Sequence, residues 1–424
     1  MKIEIRNGRI VDPRNGVDKV ATLYISAGKV AAIGAAPSGW SSARTIDAKG
    51  LIVAPGLVDL AARLREPGFE YKATLESEMQ AAVAGGVTSL ACPPDTDPPL
   101  DEPGLVEMLK HRARSLNQAH VHPVGALTVG LKGLELTEMG ELAEAGCIAF
   151  SQSEAALVDT QVLLRAMQYA STFGYRVWLR PQDPHLGKGG VAHDGEVATR
   201  LGLAAIPASA ETIALATIFA LVHETGASVH ICRLSTADGV AMVAAAKKSG
   251  LAVTCDVAVH HLHLCDNDIG WFDALCNFVP PLRSTRDRAA LRAGLADGTI
   301  DAVCSDHSPV DDDAKQVPFA EAEPGATGLE LLLPLTLKWA AESKVTLSDA
   351  LARVTARPAA ILGIDAGHLA PGQAADVCIF DPQQSWVVTP TVLASQGKNT
   401  PFLGLELMGR VRCTLVAGQV VHED

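Results

Sequence analysis

The sequence predicts an α/β protein: a TIM (β/α)8 barrel of about 310 residues, carrying a small β domain built from both ends of the chain. Three observations predict it. Short, nearly continuous apolar strands alternate with helices through the middle of the chain, which argues a parallel sheet covered on its outer face. Eight such units are enough to close a barrel. The two ends share a different style, short alternating strands separated by turns. The composition agrees: of 424 residues, 48% are hydrophobic and only 4% aromatic, which suits many helix–sheet contacts more than a sandwich. The expected division is 1–54 with 365–424 for the β domain and 55–364 for the barrel.

Taken in order, Lys2-Ile3-Glu4-Ile5 alternates and Asn7-Gly8 reads as a hairpin turn. Ala21–Ile25 alternates again, and Gly28 turns the chain into Val30–Ile33. At the stretch from Pro55 to Gly68 an apolar run feeds a Pro-Gly turn, then a short strand ending in charge. It supplies the first barrel strand. The others are Gly86–Cys92, His122–Leu127, Cys147–Phe150, Arg176–Leu179, Ser228–Cys232, Val253–Val257 and Asp301–Ser305. Helices are expected at 102–116, 134–145, 160–172, 209–225 and 236–249. Strand character returns at Asp376–Asp381, Val411–Val416 and Gln419–Val421. An open doubly wound sheet is the alternative architecture, but no glycine-rich dinucleotide loop supports it. Gln182–Ala192 reads as a flexible loop, and the charges of Asp311-Asp312-Asp313 most simply form a solvated face.

A net charge of −13 argues against nucleic acid and anionic membrane surfaces as partners. No apolar run is long enough to span a bilayer, and Met1–Arg6 does not read as a signal peptide. Nine cysteines without a CxxC pair fit a reducing compartment, so a cytoplasmic protein is expected.

In a TIM barrel, function sits where the strands end. Alternation places Ala61, Arg63 and Arg65 on one face of the first strand. The second strand runs into Asp95, the fourth into Gln152 and Ser153, the fifth into Arg180 and the sixth into Arg233. The seventh leads to His260, His261 and His263, and the eighth to Asp306 and His307.

These residues, with Leu64-Arg65-Glu66-Pro67-Gly68, Ala84-Gly85-Gly86-Val87-Thr88, Thr254-Cys255-Asp256-Val257, Pro280-Pro281-Leu282-Arg283, Asp301–His307 and Pro401-Phe402-Leu403-Gly404, resemble the cyclic amidohydrolases, above all dihydroorotase. The resemblance covers essentially the whole chain. It implies a hydrolase of cyclic amides whose zinc centre takes two histidines from the first strand. A bridging carboxylate or carbamylated lysine comes from the fourth strand, one histidine each from the fifth and sixth, and an aspartate from the eighth. At those positions this chain has Ala61, Arg63, Gln152 (or Ser153), Arg180, Arg233 and Asp306. Only the aspartate survives. The family's substrate-contacting asparagines appear as Asp95 and Val279. Arg65, which in the family holds the substrate carboxylate, is kept. The resemblance thus assigns Arg65, Asp95 and His307 to substrate contact and Asp306 to a vestigial catalytic place.

Zinc needs about three or four imidazole, thiolate or carboxylate ligands, and a guanidinium keeps its charge and offers no lone pair. No metal and no other cofactor is therefore expected. Buried arginines need partners, so one or more should bond Asp306, with Asp95 or Asp256 as further candidates. His261-x-His263 with Asp306 and His307 is the one other conceivable zinc site.

Without a metal, one aspartate supplies only the general acid–base part of amide hydrolysis, roughly 10² to 10⁴-fold. The expectation is a dihydroorotase-like pseudoenzyme. The resemblance extends to inactive bacterial homologues that accompany aspartate transcarbamoylase, which implies the catalytic subunit of that enzyme as partner and an oligomeric assembly. Two alternatives stand beside it: an active zinc-dependent dihydroorotase or related cyclic amidohydrolase with a rearranged site, and a small-anion binding module using the arginine pocket.

Overall fold

The structure is a computed structural model and describes residues 2–424. The chain opens with five strands, β1 (Lys2–Asp12), β2 (Val17–Ser26), β3 (Lys29–Ile33), β4 (Arg44–Asp47) and β5 (Ile52–Pro55). β1 runs straight through Asn7-Gly8, where its register against β2 shifts between Ile5 and Gly8 and Asn7 has φ 62°. The expected hairpin turn is therefore a bulge, one extra residue absorbed by a left-handed asparagine.

The barrel strands are β6 (Leu57–Asp59), β7 (Val87–Cys92), β8 (His120–Pro123) with β9 (Gly125–Ala126), β10 (Phe150–Ser151) and β11 (Arg176–Leu179). Two short strands, β12 (Ala192–His193) and β13 (Ala205–Ile206), lie in an excursion after β11, and β14 (Ser228–Ile231), β15 (Val253–Ala258) and β16 (Ala302–Cys304) complete the set. Helices α1 (Leu75–Ala84), α2 (Pro103–Leu116), α3 (Met139–Ala145), α4 (Thr160–Phe173), α5 (Glu196–Leu201), α6 (Ser209–Thr225), α7 (Ala237–Lys248), α8 (Thr285–Asp297), α9 (Leu332–Ser343), α10 (Leu347–Ala352) and α11 (Ala356–Leu362) fill the connections. Several start on side-chain caps, Thr74 for α1, Thr236 for α7 and Ser284 for α8, which satisfy free backbone N–H groups. The chain ends with β17 (Val377–Val387), β18 (Glu406–Val416) and β19 (Gln419–Glu423).

Every ladder between neighbouring barrel strands is parallel. β8 and β9 form the third strand, carried across Val124, whose N–H bonds Cys92. The ring closes where Ala62 bridges His307: the Arg63 N–H donates to His307 O, and the His307 N–H to Ala61 O. Small residues such as Ala91, Ala149, Ala258 and Ala302 line the interior, and Trp178 fills the space they leave, above Ile361 and Leu362 of α11. A larger apolar layer packs strands against helices.

The terminal strands form one sheet in the order β19-β18-β17-β5-β1-β2-β3, with β4 on β1. Its own core holds Ile3, Ile5, Ile10, Leu23, Ile25, Val377 and Leu415. The C-terminal part does not all belong to this sheet. Between β17 and β18 the chain crosses to the barrel, where Asn399 Nδ2 donates to Ser308 O and Gly325 O at 3.0 Å each.

Candidate functional site

The ends of the first, fourth, sixth and eighth barrel units share a backbone device. Arg65, Ser153, Arg233 and Asp306 all have φ between 46° and 62°, the left-handed region that non-glycine residues seldom adopt. The chain bends there, and the bends decide which side chains enter the barrel mouth.

Three arginines and three carboxylates meet in the mouth. Arg63 Nε donates to Asp95 Oδ2 at 2.8 Å, Nη1 to Asp306 Oδ1 at 3.2 Å and to Ser308 Oγ at 2.9 Å, and Nη2 to Glu154 Oε1 at 2.8 Å. Arg233 Nη1 donates to Asp306 Oδ1 at 3.0 Å and Val279 O at 3.2 Å, and its Nη2 pairs with Glu154 Oε1. Arg180 Nε stands 2.6 Å from Glu154 Oε2, Nη2 donates to the Glu154 carbonyl at 3.1 Å, and Nη1 bonds Gln182. Two of the three arginines thus reach Asp306. Asp256 takes the backbone N–H of Arg233 at 2.6 Å instead of a guanidinium.

Glu154 is the hub, and the sequence reasoning missed it. It alone touches all three arginines. Burial would raise its pKa, but Arg233, Arg180 and Arg63 together draw it down to about 2. Arg63 answers in kind: burial would lower it, and Asp95 and Glu154 lift it above the ordinary arginine value. Burial pushes Asp306 upward against the pull of Arg233 and Arg63. A signal for Glu154 did exist. Three cations converging on two acids call for a third acid, and Glu154 follows the fourth strand directly.

The other sequence candidates separate into those at the mouth and those elsewhere. Asp95 is partly exposed beside Arg63. Arg65 is buried, and its Nε donates to Pro309 O at 2.8 Å. Ala61 offers no donor atom. Gln152 is turned away from the arginines: its Oε1 accepts from Thr128 Oγ1 at 3.0 Å and its Nε2 donates to Leu131 O at 2.8 Å.

His307 requires correction. It is fully buried, its Nε2 faces Glu78 Oε2 at 2.6 Å, and its Nδ1 accepts from the Gly328 N–H at 3.1 Å. The left-handed turn at Asp306 sends these neighbours to opposite sides, so His307 ties α1 to the barrel and cannot meet a substrate. The histidine pair after β15 also disperses. His261 Nε2 bonds Pro281 O and His263 Nε2 bonds Leu335 O. Burial holds both pKa values down to about 4, so both are neutral near pH 7.

The family's zinc can be tested against this donor set. The places that would ligate it hold a methyl group, three guanidiniums, and an amide occupied elsewhere. Asp306 is committed to two arginines. Among the described residues no group of three or more His, Cys, Asp or Glu side chains is arranged to hold a metal ion. The residues present do not fit zinc.

Comparison with known proteins places the chain. An amidohydrolase-family model matches residues 185–421 and a dihydro-orotase-like model residues 50–239. A Pseudomonas aeruginosa protein named dihydroorotase-like protein is 47% identical, covering 100% of both chains. A Geotalea daltonii protein named dihydroorotase is 41% identical with the same coverage. Among solved structures, the L-hydantoinase (dihydropyrimidinase) of Arthrobacter aurescens superposes with a TM-score of 0.89 at 25% identity, covering 99% of this chain and 96% of that one. A D-hydantoinase superposes at 0.84 and 23% identity, over 100% of this chain and 96% of its own, a likeness of fold. With matched models, full-length relatives and the strand-end pattern in agreement, the chain belongs to the amidohydrolase family as a dihydroorotase-like member.

Proposed function

We propose that this chain is a pseudoenzyme of the dihydroorotase type, a structural subunit that supports the assembly of aspartate transcarbamoylase in pyrimidine synthesis. One observation carries the first half: the place of the zinc centre is taken by an ion-paired knot of Arg63, Arg180 and Arg233 with Glu154, Asp95 and Asp306. Hydrolysis of a cyclic amide needs an activated water and a polarised carbonyl, which in this family a metal supplies. In the knot three guanidiniums stand where a dication would have to sit, and the one surviving acid is held between two cations. The partner is inferred from the resemblance to inactive homologues, and the P. aeruginosa relative's name is compatible with it. A cytoplasmic place goes with this reading, since nine free cysteines suit a reducing compartment. No helix among the described residues is long and apolar enough to cross a membrane.

The relatives named dihydroorotase favour a second reading, an active cyclic amidohydrolase. It would need a nucleophile-activating group that the mouth does not offer. The small-anion reading loses its driving force, because three guanidiniums are already balanced by three carboxylates.

The test is direct. Protein purified without added zinc is expected to contain far less than one metal per chain and to leave dihydroorotate unhydrolysed. Co-expressed with the transcarbamoylase catalytic subunit, it is expected to co-purify, and its removal to abolish that subunit's activity. Stoichiometric zinc with turnover would sink the pseudoenzyme reading, and a catalytic subunit that assembles and works alone would sink the partner.

A further inference from the structure

The mouth side of the barrel carries an aromatic pair that the knot does not explain. Trp271 is 85% exposed and Phe272 37% exposed, their rings edge to face with centroids 5.5 Å apart. They project from the loop after β15. That loop is held firmly: the Cys265 N–H donates to Asp268 Oδ2, the Asp266 N–H to Arg283 O and the Asp273 N–H to Ile269 O. Phe272 has φ 63°, a conformation costly for a bulky residue. The fold thus holds two large apolar side chains in water on a rigid support.

A second loop, after β16, lies alongside. Lys315 Nζ donates to Ala274 O at 3.1 Å, Asn277 Nδ2 to Phe319 O and Ala322 O at 2.9 Å each, and the Gly325 N–H to Asn277 O. This loop adds Val317, 39% exposed. Around the apolar residues the two loops expose Asp268, Asp273, Asp311, Asp312, Asp313 and Glu321, while their one lysine, Lys315, is only partly exposed and Arg283 is buried.

We propose that Trp271 and Phe272, rimmed by these carboxylates, form the docking surface for the partner subunit, and that the partner meets them with an apolar pocket bordered by lysines or arginines. Rigid aromatic side chains anchor interfaces at low entropic cost, and tryptophan is enriched among the residues that dominate binding. The charge selects the occupant. A second copy of this chain across a two-fold axis would set acidic rim against acidic rim. A cationic surface instead gains attraction and faster encounter. The inference rests on the assembly reading above and adds the surface to it.

The test uses the intact chain with the purified transcarbamoylase catalytic subunit. Trp271→Ala is expected to weaken binding at least tenfold, Phe272→Ala somewhat less. The triple change Asp311→Asn, Asp312→Asn, Asp313→Asn is expected to slow association and flatten its salt dependence. Val20→Ala, at an exposed apolar site on the β domain, is the control and should change nothing. All these side chains are exposed, so thermal melting should match the wild type. If the wild type binds and Trp271→Ala binds equally well, the docking surface falls and the assembly reading stands. If the wild type does not bind, both fall. If Trp271→Ala instead converts a self-associated wild type into monomers, the occupant is a second copy and the proposal is overturned.

Discussion

Glu78 and Glu154 are both acids facing cationic or imidazole partners, yet they do opposite work. Glu78 on α1 is sealed. Its oxygens take His307 Nε2 at 2.6 Å, Ser395 Oγ at 2.6 Å and the Gln396 N–H at 2.9 Å, joining a helix, the last barrel unit and the C-terminal crossing. Glu154 sits in a loop with its side chain 33% exposed and joins three arginines that have no other common partner. The first acid secures architecture; the second balances charge at the barrel mouth. The contrast shows that a retained family motif is no guide to which side chain faces the site, because Asp306 and His307 are adjacent and each serves a different centre.

The largest effect is expected at the sealed acid. Glu78→Ala should cost about 3–5 kcal/mol in urea denaturation, the usual consequence of removing one partner of a buried pair. Glu154→Ala should cost less, about 2 kcal/mol, since solvent reaches the vacated place. A reversal of that order would break the contrast. The same variant leaves three guanidiniums against two carboxylates, so phosphate, without effect on the wild type, should raise its melting temperature.

Acid titration sharpens the comparison. Glu154 has a pKa of about 2 in the fold against an ordinary 4.5, so the unfolded chain takes up its proton first as pH falls. Its contribution is complete above pH 4.5 and is lost between 4.5 and about 2. Glu78 is also held low, burial being outweighed by His307 and Ser395, and adds to the same decline. Glu154→Gln should therefore flatten the acid limb of stability only in part, as read by denaturation midpoints across that range; an unchanged limb would contradict the pairing. The smallest effect is expected at Gln152→Ala, about 1 kcal/mol for two hydrogen bonds, with no change in phosphate response because Gln152 faces Thr128 and Leu131.

The barrel was legible because short strands such as β14 and β15 alternate with the helices α6 and α7, a rhythm that argues parallel pairing. The knot was half legible. Residue type revealed Arg63, Arg180, Arg233 and Asp306, because a guanidinium cannot stand in for an imidazole. Glu154 was missed and His307 misplaced for one physical reason. Side-chain alternation holds only while the chain stays extended, and left-handed turns at Ser153 and Asp306 interrupt it. The fourth ladder is also only two residues long, Phe150–Ser151, so the expected strand end was placed too early. The unexpected helices α8 to α11 lack the clean apolar stripe that would have marked them; α8 carries five charged residues in thirteen.

The crossing between β17 and β18 has a consequence for anyone who cuts or synthesises this chain. Asn399 and Ser395 come late in sequence but complete the loop after the eighth strand and the seat of α1. On a ribosome, the barrel would wait unfinished until its own tail had emerged. A fragment ending after α11 would look like a whole barrel on paper and lack the clasp that shuts it.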